Sequence, residues 1–143
     1  MAGYAPPLAD RGGAETFYLG GYGDFDRLAA AAVRRQKAVY PSIESVLVLP
    51  YLDKKFDAAA YDSTTYPPLE NVPPRYAIVK RNQWMVSESD VVISGMTHSW
   101  GGAAKTLGFA KCKGKVIFQY PRQMKENNYM AASLQKFLFK AML

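Results

Sequence analysis

Apolar and polar positions along the chain fall into two alternating textures. Short, nearly continuous apolar runs occur at Thr16–Gly21, Ser45–Leu52, Asp90–Met96 and in "KVIFQY" at 115–120. Runs of this length without polar alternation are expected of strands covered on both faces. The segments between them carry apolar residues at helical spacing. Phe25–Tyr40 places Phe25, Leu28, Ala29, Ala32, Val33 and Gln36 at that spacing, with Arg34, Arg35 and Lys37 near its C-terminal end, where the helix dipole favours cations. Pro41 stops it. Arg75–Ser89, opened by Pro73 and Pro74, reads as a second helix. Residues 101–113 read as a third, and Tyr129–Met142 as a closing amphipathic helix. Strands alternating with helices predict an α/β fold: a single Rossmann-like domain with a mainly parallel sheet and helices on both faces.

Two segments depart from the alternation. Residues 1–15 are rich in Pro, Gly and Ala, lack the pattern of a signal peptide, and read as a flexible arm before the domain at 16–143. Asp53–Pro74 holds four prolines, with tyrosines and acidic residues among them, and shows no clear period. So long a connection inside a compact domain predicts a functional loop or lid, with a helical turn over part of Asp57–Tyr61.

Composition narrows the partners. With 49% hydrophobic residues in 143, the chain has enough apolar material for a core, and global disorder is not expected. The net charge of +6 is scattered over short basic groups, the pattern of solvated helix faces, so nucleic acid is not the expected partner. A single cysteine, Cys112, excludes an intramolecular disulfide and a multi-cysteine zinc site. A reduced thiol there fits a cytoplasmic protein. No apolar run approaches the roughly 20 residues that span a bilayer, so no membrane partner is expected.

In open parallel sheets ligands bind beyond the carboxyl ends of the strands. Two strand-to-helix turns stand out there. "THSWGGAAKT" offers Thr97, His98 and Ser99 as hydrogen-bonding side chains, then Gly101 and Gly102 at a helix start, and no carboxylate. Free N–H groups and a positive helix end suit an anion; equally, the glycines allow close helix packing and Ser99 caps the helix. The spacing is not that of a Walker A loop. His98 is the only histidine and has no cysteine near it in sequence, so no metal or cofactor is expected.

The other turn, "GGYGDFD", has Gly20, Gly21 and Gly23 but lacks the dinucleotide fingerprint, because Asp24-Phe25-Asp26 follows. Asp24 has three readings: a helix N-cap, an acceptor for sugar hydroxyls or a base N–H, or a general base or nucleophile. The two turns together suggest a division of labour, with a nucleoside part at the first and a phosphate at the second. In "KRNQWM", Arg81 fits a bidentate phosphate contact as well as a structural role, and Trp84 fits core packing or base stacking.

Three stretches, "FYLGGYGDFDRLAAAAVRR", "YPPLENVPPRYAIVKRNQWMVSESDVVI" and "THSWGGAAKT", together resemble the SLOG superfamily, which includes the DprA/SMF domain and the LOG phosphoribohydrolases. The resemblance covers about Phe17–Gln119. It implies a Rossmann-like fold that binds nucleotides, nucleotide-derived signals or nucleic acids, and often pairs with a second copy through helices beside the pocket. By position it implies ligand contacts at Gly20, Gly21, Gly23 and Asp24, at Arg75, Arg81 and Asn82, and at His98, Ser99, Gly101 and Gly102. The hydrolytic members carry a catalytic glutamate on the helix after the second glycine turn, and this chain has no acidic residue there. Hydrolysis would fall to Asp24, Asp26, Glu70 or Glu88. The expectation is therefore a binding protein, a sensor or sequestering module, for a nucleotide or nucleotide-derived small molecule. The alternative is an N-glycosidic hydrolase acting on nucleotides, with Asp24 or Glu88 as catalyst.

Overall fold

The computed structural model describes residues 16–21, 23–95, 100–119 and 141–142. The arm expected at 1–15, most of the closing helix expected at 129–142, and Thr97, His98 and Ser99 lie outside them. The buried apolar runs form the strands β1 (Thr16–Leu19), β2 (Glu44–Val48), β4 (Val91–Ser94) and β5 (Val116–Gln119). The periodic segments form α1 (Gly23–Lys37), α2 (Ala77–Glu88) and α3 (Gly102–Cys112). Pro73 and Pro74 lead into α2 through a single 3-10 turn, Pro74–Tyr76, as fixed proline φ angles favour.

Two short strands were not expected. β3 (Ser63–Thr65) lies within the 53–74 segment, after a 3-10 turn at Ala58–Ala60. β6 (Ala141–Met142) replaces the end of the expected closing helix. Its backbone lies between two strands, pairing with Tyr18 on one side and with Val92 and Ile93 on the other, so it meets the main-chain groups of both edges.

Among the described residues six strands run in the order β3-β2-β1-β6-β4-β5, and every pairing between them is parallel. The chain starts near the middle, builds outward to β3, then crosses to form the other half. Neighbouring residues of β4 show how the faces are covered. Ile93 packs with Phe17, Leu19 and the buried alanines of α1, whereas Val92 packs with Val86 of α2 and Ala110 of α3. Adjacent strand residues point to opposite faces, so α1 covers one face and α2 with α3 the other. This is the Rossmann-like α/β arrangement that the alternation predicts.

The β2–β3 edge is tied by a polar knot. Asp62 Oδ2 accepts from the Ser45 N–H at 2.8 Å and from Ser45 Oγ at 3.1 Å. The Asp62 N–H donates back to Ser45 Oγ at 3.0 Å. Lys37, at the end of α1, completes the knot with an ion pair to Asp62. Among the described residues no helix is long and apolar enough to cross a membrane.

Candidate functional site

The first glycine turn follows directly from β1. Gly21 has φ +75° and Gly23 φ +82°, a backbone region that disfavours side chains. At Gly21 space is limiting too, because a Cβ would lie 2.7 Å from Leu47 Cδ1. The turn lets α1 start immediately at the carboxyl end of the sheet. Phe25, in the first turn of α1, then fits against the end of β4: a Cβ on Gly95 would come within 2.2 Å of its ring.

Within that first turn the two aspartates have different fates. Asp26 is buried and Asp24 is exposed. Successive helix positions turn by about 100°, so residues two apart face nearly opposite ways. A Cβ on Gly20 would meet Asp26 Oδ2 at 3.2 Å and both terminal nitrogens of Arg81 at 3.3 Å. Asp24 instead pairs with Arg27 on the surface. The helix already begins at Gly23, so Asp24 lies inside it and is not its N-cap.

Arg81 is only 3% exposed. Its Nη1 donates to the carbonyl oxygens of Gly20 and Val48, both at 2.8 Å, and its Nε donates to Asn82 Oδ1 at 2.8 Å. Of the two roles open to Arg81, the structural one is seen: it clamps the carboxyl ends of β1 and β2. Asn82 turns the other way, its Nδ2 reaching Thr106 Oγ1 of α3 at 3.5 Å. Arg75 is exposed, with its guanidinium over the Tyr76 ring at 4.7 Å. Trp84 is half-buried and packs on Tyr18, ring centroids 5.5 Å apart. Glu88 ends α2 three residues before β4 begins. That position is at the amino ends of the strands, so as a catalyst Glu88 is separated from the glycine turns. At the second turn, α3 starts at Gly102, and Gly101 with φ +92° holds the cap position considered for Ser99.

A groove of about 360 Å³ runs along α1 on its face of the sheet. Gly21 stands at the end nearest the strand carboxyl ends, and Leu47 contributes from β2. Arg27, Ala30 and Arg34 form the wall on α1, and Phe56, Asp57, Ala60 and Tyr61 form the wall from the connection between β2 and β3. The 53–74 segment therefore supplies one side of a binding-sized space. Tyr61 reaches towards the glycine turn, its hydroxyl 3.7 Å from where a Gly21 Cβ would stand. Burial pushes the Tyr61 phenol above its ordinary pKa, and the Asp26 carboxylate adds to this while Arg34 opposes it. The hydroxyl remains a proton donor at neutral pH.

Of the residues expected to contact ligand, Gly21 lines this groove, Gly20 and Arg81 lie beneath the turn, and Gly101 and Gly102 belong to the other turn. Arg27, Arg34, Asp57 and Tyr61 were not expected. The spacing of Arg27, Ala30 and Arg34 along one helix face was the available signal. Comparison with protein-family models, curated proteins and solved structures finds no match for this chain.

Proposed function

We propose that this protein binds a nucleotide or nucleotide-derived small molecule in the groove beside the first glycine turn. The observation that carries the reading is the make-up of that groove: two arginines on one wall and the Phe56 and Tyr61 side chains on the other. Guanidinium groups recognise phosphate, and aromatic and apolar surface accommodates a ring. Its volume lies at the lower end of the roughly 300–1,000 Å³ typical of ligand sites. The groove begins at the carboxyl end of β1, where open parallel sheets place their ligands. The likeness of the three motifs to the SLOG superfamily belongs to the same proposal.

Asp57 gives the hydrolytic alternative a carboxylate within the groove, which neither Asp24 nor Glu88 does. In that reading Asp57 takes a proton from water, the hydroxyl adds to the sugar C1′, and the base leaves and is protonated by solvent. Mass spectrometry of small molecules that co-purify with the protein tests both. An intact nucleotide supports binding, and a free base formed from added nucleotide supports hydrolysis. Failure to retain any nucleotide, together with no calorimetric binding across the common ribonucleotides, overturns both.

A further inference from the structure

Arg27, Ala30 and Arg34 lie on one face of α1, with the alanine three residues after the first arginine and four before the second. Residues at these spacings are neighbours on a helix surface. The two arginines are separated by about 10 Å along the axis, within reach of two long side chains converging over the small methyl between them. Arg34 forms no ion pair among the described residues, and Arg27 is engaged by one exposed carboxylate, Asp24. Tyr61, whose charge environment includes Arg34, faces the same space with a hydroxyl donor.

We infer that the two exposed arginines Arg27 and Arg34, flanking the buried Ala30, are the seat of a single phosphate monoester, borne by a mononucleotide-sized ligand whose ring lies against Phe56 and Tyr61. The inference rests on the proposed function and specifies its ligand class. It places the phosphate on α1 rather than at the glycine pair before α3. A volume at the low end of ligand cavities suits a ligand the size of one nucleotide. It also gives Asp24 a new part. As the carboxylate holding Arg27, it competes with the phosphate instead of reading a sugar.

The test is calorimetry on the full chain with the four ribonucleoside 5′-monophosphates, the matching nucleosides and a pyrophosphate-linked dinucleotide. Arg34→Gln, at an exposed position, is expected to weaken the best monophosphate by about 10- to 100-fold, the range for losing a charge-assisted contact, and to leave its nucleoside unchanged. Asp24→Asn is expected to tighten the monophosphate by about two- to fivefold, the scale of an exposed ion pair. Monophosphate binding that Arg34→Gln leaves intact, an equal loss for nucleoside and monophosphate, or tighter binding of the dinucleotide overturns the inference while the proposed function stands. No binding by any of these compounds overturns both.

Discussion

Arg81 Nη1 donates to the Gly20 carbonyl oxygen at 2.8 Å, joining the middle of α2 to the end of β1. The same nitrogen reaches the Val48 carbonyl at the end of β2. One buried guanidinium therefore fixes the relative height of the two strand ends from which the groove starts. Arg81→Met would leave both carbonyls without this donor. We expect a loss of about 2–5 kcal/mol, as for other buried, hydrogen-bonded charges, read by urea denaturation. A loss below about 0.5 kcal/mol, the scale of ordinary surface changes, would show that the clamp is dispensable.

Gly95 and Phe25 form the second fixed contact of the first turn. Gly95→Ala drives a methyl into the Phe25 ring, and overpacking of this kind costs about 1–3 kcal/mol. Phe25→Leu in the same chain should recover at least half of that loss, because directly touching residues couple strongly. Additive losses in the double variant would mean that Gly95 is required for another reason.

Ala60 lines the groove from the side opposite α1 and is half-buried. Ala60→Trp should fill the space. The expected result is at least about a tenfold loss of nucleotide affinity with the melting temperature within about 2 °C of the parent. Undiminished affinity would place the ligand elsewhere.

Asp62 makes a prediction about acid. The hydrogen bond from Lys37, followed by that from the Ser45 N–H, holds its carboxyl below its ordinary pKa. The unfolded chain then takes up this proton more readily than the folded one. The stabilisation is therefore complete above the ordinary value of about 3.9 and fades as pH falls through the lowered one. Asp62→Asn should lower the melting temperature at pH 7, and the gap from the parent should close as the pH drops below about 4. A constant gap across the titration would assign the effect to packing alone.

The fold was largely legible because its strands are continuous apolar runs and its helices are periodic. β3 was not, since "STT" is short and polar and lies at the sheet edge, where only pairing to β2 marks it. Of the expected glycines only Gly21 lines the candidate groove, and the charges that line it were not read from the sequence. Asp24 and Asp26 look like a pair in the sequence, but helix rotation sends one to solvent and the other to the core. Which one is buried depends on where α1 begins, and element boundaries are poorly fixed by local pattern. Arg81 was ambiguous for a related reason: the two backbone carbonyls that it clamps lie 61 and 33 positions away, beyond any local signal. The second wall of the groove comes from a connection with no period to read.

The position of β6 between β1 and β4 bears on the order in which the protein can be assembled during synthesis. The segments for β1 to β3 and for β4 and β5 all emerge before residues 141 and 142. At ordinary translation rates the interval after β4 is on the order of seconds. Over that time the facing edges of β1 and β4 await the strand that joins them. Of the six described strands the one in the middle of the sheet is thus the last to be made, and a nascent chain stalled before Ala141 would present two half-sheets with edges that other strands can occupy.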